Sequence, residues 1–568
     1  MKTLILKFIL PLIFILGLSS CTKDFLKINK NPNAIIPSEA SARYFLTNAE
    51  YPLFAPSRYA YWRANLIHVD RYAGYFVFGF NGDWWSGELG YKYNSGYTDA
   101  AWGWLDGYFS QIDNFMKLTK PGGVFQNGKM YAVGQIIKAL YYQRFTDIFG
   151  EIPFSEAGLP NIVQPKFDTQ NEIYQGLITI LNEAMDTIGN NTITGNGVNN
   201  LGDNDIIFNG NLQKWKSLAN SLKLRIAMRA YGAPGAGWVK NVVSSTMSGP
   251  FLVTGEDALI PKDNVISTWN SASYGDIFYG FGGKGSKWTV SNVLINYLRN
   301  NNDPRLPMYA QPAPGGTFTL SRPNVSTDPE GYDNFPARIA YIDTVLNRAT
   351  GGDMTFTKST GSVVISIPKN KYYIGQPPRF NAQIYPFALY DFWSIPGEKI
   401  IQAKNQGKQI FPEIVMSAAE VYFLRAEAVV RGLATGDATS LFQDGIRAAM
   451  NLWGVDAGAA ENYIATAPLA QLTGSADEQL EKIAVQMWIA NYPDGFEGWS
   501  DVRKSGYPLK LAQGVHDPVI FGLGDDNGVF PQRLRYGNQA YNTNGDNLAK
   551  AIARQGADVQ GTKLWWAK

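Results

Sequence analysis

KMYAVGQIIKALYYQRFTDIF, the stretch from Lys129 to Phe149, decides the fold class of this 568-residue chain. Its apolar residues recur at steps of three and four residues, and they are Val133, Ile136, Ile137, Leu140 and Tyr141. That spacing places them on one face of an α-helix. Because an amphipathic helix has to bury its apolar face, the stretch predicts a long helix packed against other helices.

Further segments repeat this pattern along the chain. Four more strong helices are expected, at Asn171–Ile188, Asn211–Tyr231, Glu413–Arg431 and Gln479–Asn491. Shorter helices are expected at Ala40–Ala49, Ala101–Leu118 and Thr439–Leu452. Thr169 or Asp168 stands where the helix expected at Asn171–Ile188 needs an N-cap. Paired amphipathic helices joined by turns indicate tetratricopeptide-like hairpins, although no clean 34-residue period is visible.

The composition changes between Pro250 and Pro412, where Gly, Pro, Asn, Ser and aromatic residues dominate. One helix near Val290–Arg299 and one strand at Ser362–Ile367 stand out in this region. The high aromatic content disfavours disorder, because aromatic side chains need a packed environment. We interpret residues 250–411 as a long irregular insertion.

The N-terminus is typical of a bacterial lipoprotein signal. A short basic start with Lys2 and Lys7 is followed by an apolar stretch from Phe8 to Leu18. The tetrad Leu18-Ser19-Ser20-Cys21 then resembles a lipobox. Cys21 is the single cysteine of the chain. The apolar stretch is too short to span a bilayer, so it indicates a cleaved signal. Acyl chains on Cys21 would hold the mature protein on a membrane.

These observations predict the organisation of the whole chain. Residues 1–20 form the signal peptide, and residues 21–37 form a polar tether. Residues 38–568 form a single domain that is mainly α with minor β, carrying the insertion and a loop-rich tail at about residues 508–568. No later segment of the sequence contains the run of about 18 apolar residues that a membrane-spanning helix needs.

Charge and histidine content exclude several classes of function. Without Lys2 and Lys7 the mature chain would carry 48 basic and 48 acidic residues. A neutral chain lacks the basic surface that binds nucleic acid or an anionic membrane. His68 and His516 are the only histidines, which argues against a histidine-based metal centre. The expected partners are therefore small or neutral molecules, with the membrane reached only through a lipid anchor.

Several phrases in order along the chain resemble the SusD/RagB family of outer-membrane lipoproteins, in its SusD-like branch. They are residues 21–26 (CTKDFL), 145–157 (FTDIFGEIPFSEA), 167–170 (FDTQ), 219–229 (ANSLKLRIAMR), 302–306 (NDPRL), 419–428 (AEVYFLRAEA) and 501–508 (DVRKSGYP). The branch also carries a closing Trp-Trp, here Trp565-Trp566. The resemblance spans the whole mature chain.

The resemblance implies both a fold and a role. It implies about four tetratricopeptide-like helix pairs wrapped by irregular loops. It also implies a ligand-binding lid on a TonB-dependent outer-membrane transporter of the SusC type. Family ligands are oligosaccharides, or peptides in RagB-like members. Asp24 is the one early acid after Cys21, a partial match to the signal that marks export to the cell surface.

Candidate ligand-binding residues come from the aromatic loops. Sugars present apolar faces beside hydroxyl groups, so their sites pair aromatic rings with amide or carboxylate side chains. The candidates are Asn81, Asp83, Trp84 and Trp85 in one glycine-flanked loop, then Trp269, Tyr274, Trp288 and Trp393. The alternative for each aromatic residue is a ring that folds back onto the core.

No catalytic motif stands out, so we expect a binding protein without a cofactor. Asp147, Glu420 and Glu427 are interpreted as structural groups, with the two glutamates tying helices together. Asp203-Asn204-Asp205 and Asp525-Asp526-Asn527-Gly528 carry oxygen ligands that suit a structural calcium ion but lack EF-hand spacing. Three alternatives to oligosaccharide capture remain open: peptide capture, a surface glycoside hydrolase, and a helical scaffold.

Overall fold

The structure, a computed structural model, describes residues 40–54, 61–78, 91–262, 273–280, 288–402 and 410–568. The predicted signal peptide, Cys21 and the tether lie outside the described residues. The α-helices are α1 (Leu46–Phe54), α2 (Asp70–Tyr72), α3 (Ser95–Thr119), α4 (Gly128–Phe149), α5 (Gln170–Ile188), α6 (Leu212–Ala230), α7 (Val239–Thr246), α8 (Tyr274–Gly280), α9 (Asn292–Asn300), α10 (Leu306–Tyr309), α11 (Pro329–Thr350), α12 (Ala418–Val430), α13 (Ala438–Trp453), α14 (Ala457–Thr466), α15 (Ala476–Ala490), α16 (Gly495–Ser505), α17 (Leu509–Ala512) and α18 (Asn538–Gln555). A π-helix, Tyr61–Val69, leads directly into α2.

The β-structure is minor and is spread over small antiparallel sheets. The strands are β1 (Phe76–Phe78), β2 (Ile152–Pro153), β3 (Phe167–Asp168), β4 (Ala258–Ile260), β5 (Trp288–Val290), β6 (Gly316–Ser321), β7 (Thr355–Lys358), β8 (Ser362–Ile367) and β9 (Glu413–Met416). β1 pairs with β5, β2 with β3, and β4 with β9, while β8 lies between β6 and β7. The fold is therefore mainly α with minor β, as the sequence predicts.

Consecutive helices pack as pairs: α4 with α5, α6 with α7, α12 with α13, and α15 with α16. Their starts follow from local chemistry. Thr169 caps α5, and its backbone N–H donates to the Glu172 carboxylate in a capping box. Asn127 caps α4 and Asn211 caps α6, each with a side-chain oxygen that accepts from the backbone N–H groups two and three residues later. Gly150 ends α4 at a positive φ of 92°.

The prediction for residues 250–411 is wrong in one respect. This region contains α11, a helix of 22 residues, and the three-stranded sheet of β6, β8 and β7. Phe335, Ile339, Ile342 and Leu346 line the buried face of α11 and join a second apolar cluster apart from the main core. Pro336 lies inside the helix. Because proline and glycine are frequent between residues 250 and 411, the overall composition suggests loops and hides the helical spacing of the apolar residues in α11.

A second correction concerns Glu413–Arg431, which the sequence predicts as one helix. Residues Glu413–Met416 form β9 and pair with β4, and Ser417 then caps α12. The side chains of Ile414, Val415 and Met416 are all buried. A short, fully buried apolar run fits a strand as well as a helix, so spacing alone does not separate the two.

Buried charges connect four helices at the centre of the main core. Arg225 and Arg229 project from α6. Arg225 Nε donates to Glu420 Oε1 of α12 at 2.5 Å, and Arg229 Nη2 donates to Glu497 Oε2 of α16 at 2.6 Å. Arg229 Nη1 donates to Asp147 Oδ2 of α4 at 2.5 Å. We call these five residues the core charge network.

The network shows the structural role of two predicted residues. Glu420 ties α12 to α6, as expected. Asp147 is a buried acceptor within the last turn of α4. Glu427 differs from the expectation, because its pairing with Arg431 at 2.6 Å joins two residues at the end of one helix. Ion pairs of that kind contribute little to the packing of separate helices.

Candidate ligand-binding site

The predicted ligand residues divide into two groups. Asn81, Asp83, Trp84, Trp85 and Trp269 lie outside the described residues. Tyr274, Trp288 and Trp393 lie within them and are buried in the fold.

Phe76, Tyr274 and Trp288 form a cluster that we call the aromatic junction. Their ring centroids are 5.0 to 5.2 Å apart. The antiparallel pairing of β1 with β5 places Phe78 opposite Trp288. Tilted and edge-on contacts of this kind add to the free energy gained by burying the rings.

Three segments outside the described residues each have one end next to the aromatic junction in the sequence. Segment 79–90, with Trp84 and Trp85, starts directly after β1. Segment 263–272, with Trp269, ends just before α8, and segment 281–287 ends at β5. Residues far apart in sequence thus emerge from one part of the fold.

The burial of Trp288 and Trp393 corrects their assignment as ligand residues. Neither tryptophan has exposed surface, and Trp393 Nε1 donates to the Ala388 carbonyl at 3.2 Å. Trp393 also packs against Phe380 and Phe392 in the second apolar cluster. Their rings belong to the core, so we do not carry them into the proposed site.

Tyr274 is also a structural residue in this conformation. It is 6% exposed, and its hydroxyl lies 2.8 Å from Asp70 Oδ2 and 3.1 Å from the Pro493 carbonyl oxygen. Burial raises the pKa of both Tyr274 and Asp70 well above their ordinary values. The phenol is therefore a neutral donor that braces the aromatic junction.

A small cavity lies beside Tyr274. Its volume is about 20 Å³, which holds one water molecule and excludes a sugar ring. Lys262 Nζ lies 2.9 Å from Glu413 Oε2, and the Tyr61 hydroxyl donates to the same oxygen at 3.2 Å. These groups satisfy one another, so the described side of the aromatic junction serves as a rigid base.

A separate open space is a cleft between α9 and α11. Its volume is about 690 Å³, within the range of roughly 300 to 1,000 Å³ for small-molecule sites. Residues 510–521 form a third wall. Tyr297 and Tyr341 contribute aromatic surface, and Asn296 and Asn300 contribute amides. The sequence prediction missed this α9–α11 cleft.

The sequence matches the profile of the SusD-like_2 family, described as "Starch-binding associating with outer membrane", over residues 32–348 and 375–537. The chain belongs to this family. Among solved structures, a chitin-binding protein is 24% identical with a TM-score of 0.69, and the match covers 93% of this chain and 100% of that one. A SusD-like protein from Bacteroides thetaiotaomicron is 21% identical with a TM-score of 0.67, covering 92% and 98%.

A SusD homologue from Bacteroides uniformis is also similar, at 22% identity, a TM-score of 0.68, and coverage of 93% and 99%. At this identity the solved structures support the SusD-like fold. No curated protein matches the chain at a significant level. Among the described residues, no helix of this SusD-like protein has both the length and the apolarity that crossing a membrane requires.

SusD-like proteins are binding proteins associated with the outer membrane, and three acids considered above as calcium ligands accept hydrogen bonds within the fold of this member. Asp205 accepts hydrogen bonds from the Trp215 indole at 2.6 Å and from the backbone N–H of Gly210 at 2.8 Å. Asp525 and Asp526 accept from the backbone of Tyr93 and Gly561. Groups of three or more potential metal-ligating side chains were not found within the described ranges.

Proposed function

We propose that this SusD-like protein is a non-catalytic lipoprotein, anchored through Cys21 and facing the cell exterior, that captures an oligosaccharide. It passes the ligand to a SusC-type TonB-dependent transporter. The observation that carries the proposal is the aromatic junction, at which the loops with Trp84, Trp85 and Trp269 begin or end. The family description and a similar chitin-binding structure support a carbohydrate as ligand.

The chemistry of the predicted loop fits this role. Trp84 and Trp85 offer flat apolar surfaces to the C–H faces of sugar rings, and Asn81 and Asp83 offer hydrogen-bonding groups to the hydroxyls. Affinity should be modest, because the ligand has to be released to the transporter.

Combined replacement of Trp84 and Trp85 by alanine should weaken oligosaccharide binding at least tenfold, with little change in Tm. A tenfold loss corresponds to about 1.4 kcal/mol. Calorimetric titration with maltohexaose and with chitohexaose measures this change. The Tyr44→Ala/Tyr541→Ala variant is a matched control, because it removes two aromatic rings that are 41% and 40% exposed elsewhere on the surface.

The same titrations separate the competing functions. Unchanged affinity in the Trp84/Trp85 variant would remove this loop from the site. Binding of peptides with no binding of glycans would favour the RagB-like role. Release of products from a polysaccharide by the pure protein would establish a hydrolase. The transfer step is tested separately, by purifying the protein from its own outer membrane and identifying a transporter bound to it.

A further inference from the structure

We propose that the α9–α11 cleft is a second carbohydrate-binding site, and that it takes a neutral oligosaccharide. This site is additional to the one proposed around Trp84 and Trp85. All its walls belong to the described chain. With two sites, one protein molecule would bind two segments of the same long glycan.

The first wall is a stripe of amides on α9. Asn292, Asn296 and Asn300 are spaced by four residues and all line the α9–α11 cleft. Residues four apart share one face of a helix. Three asparagines are costly in helix propensity, so local helix formation does not account for the stripe. Amides are well suited to sugar hydroxyls because each carries both donors and an acceptor.

The opposite wall comes from α11, where Thr344 and Val345 lie three and four residues after Tyr341, and Arg348 lies one turn further on. Phe380 and Phe521 both pack edge-on against Tyr341 and hold the orientation of its ring. On α9, Tyr297 lies next to the amide stripe and packs against Trp488. The cleft thus sets two half-buried tyrosines among polar groups, the combination that recognises a sugar ring.

The charges around the cleft also favour a neutral ligand. α9 and α11 both end here, and their last carbonyl groups carry partial negative charge. Asp517 adds a full negative charge, while Arg348 and Lys510 add positive ones. Burial and the neighbouring Asp517 raise the pKa of Tyr341 to about 12, so its phenol is uncharged at neutral pH. The three side-chain charges sum to only +1, and the two helix ends oppose that charge, so an acidic ligand is attracted weakly.

The third wall is held in place by buried groups. The Arg379 guanidinium donates to the carbonyl oxygens of Gly522 at 3.2 Å and Leu523 at 2.8 Å. Asn381 Nδ2 donates to the Pro518 carbonyl at 2.7 Å, and Arg338 Nε donates to that of Val519 at 3.1 Å. The cleft is therefore formed before a ligand arrives, which lowers the entropic cost of binding.

The test uses the full-length mature protein carrying Trp84→Ala/Trp85→Ala, so that the first proposed site is removed. Calorimetric titrations use maltohexaose, cellohexaose and chitohexaose, with hexagalacturonate as the acidic comparison. We expect at least one neutral hexasaccharide to bind this protein. Adding Asn300→Ala/Gln513→Ala should weaken that binding about tenfold, because both side chains are exposed at the cleft and leave core packing intact.

Asn196→Ala/Gln539→Ala is the matched control, because it removes two exposed amides that do not line the cleft. Tyr341→Phe removes a single hydroxyl while keeping the ring contacts, and it should also weaken binding. The proposal is overturned if the Trp84/Trp85 variant binds no neutral hexasaccharide, if it binds only hexagalacturonate, or if the cleft and control variants bind alike. Failure of the first site leaves a different pattern, in which the Trp84/Trp85 variant binds as tightly as the wild type.

Discussion

Replacement of Arg229 by methionine should lower the free energy of unfolding by about 3 to 5 kcal/mol, the range measured when one partner of a buried ion pair is removed. Arg229 bonds to both Asp147 and Glu497, and all three residues are buried. Methionine fills much of the space but leaves two carboxylates without their shared cation. Urea denaturation at pH 7 measures the loss.

A matched control separates this effect from the general loss of an arginine. Arg447 also binds two acids, Asp444 and Glu461, but the three side chains are 38%, 46% and 55% exposed. Exposed pairs of this kind contribute about 0 to 1 kcal/mol. Arg447→Met should therefore change stability by no more than that. Equal losses in the two variants would contradict a special role for the core charge network.

The same network explains how much of the fold can be predicted from sequence. α4, α5 and α6 were predicted to within two residues at each end, because their apolar spacing and their caps are local properties. The partners of Arg229 are not local, since Asp147 precedes it by 82 residues and Glu497 follows it by 268. Charge patterns within one segment carry no sign of such pairing.

The error in predicting α11 also arises because tertiary contacts are not visible in a local stretch of sequence. Pro329 and Pro336 gave the segment of α11 a loop-like composition, although Asp328 caps the helix and Phe335, Ile339 and Ile342 hold it on a core. Proline at the first position of a helix costs nothing, because that N–H has no partner in the helix. Tertiary packing stabilises the remainder, and packing is not visible in composition.

Prediction of the site was limited by burial. Trp288 and Trp393 lie in glycine- and proline-rich segments, which suggested exposed loops, yet both are fully buried. Nearby aromatic residues in sequence cannot show whether a ring faces solvent or core. The α9–α11 cleft escaped notice because residues 292–301, 341–349 and 510–521 meet only in the folded chain. The four-residue spacing of asparagines on α9 was its one local signal.

Lowering the pH from 5 to 3 should cost the folded state about 2 kcal/mol through Glu497 alone. Burial by itself raises the pKa of this carboxyl, but Arg225 and Arg229 outweigh burial and lower the pKa from 4.5 to about 2. Between those values the unfolded chain binds more protons than the folded one. Stability from Glu497 is therefore complete above about pH 4.5 and is lost as the pH falls toward 2, at about 1.4 kcal/mol per unit.

Glu497→Gln provides the measurement, because it removes the titrating group and keeps the shape of the side chain. The variant should be less stable than wild type at pH 7, and the gap should narrow as the pH falls to 3. Glu420 changes stability in the opposite direction, since burial raises its pKa and protonation then favours the folded state. The difference between the two proteins reports Glu497 together with its effect on Glu420, because the Glu497 charge is one of the groups that raise the pKa of Glu420. Urea denaturation measures the difference in the free energy of unfolding between the two proteins. If that difference stays constant from pH 7 to 3, Arg225 and Arg229 do not hold the Glu497 carboxylate ionised. Glu497 would then be an uncharged hydrogen-bonding member of the core charge network.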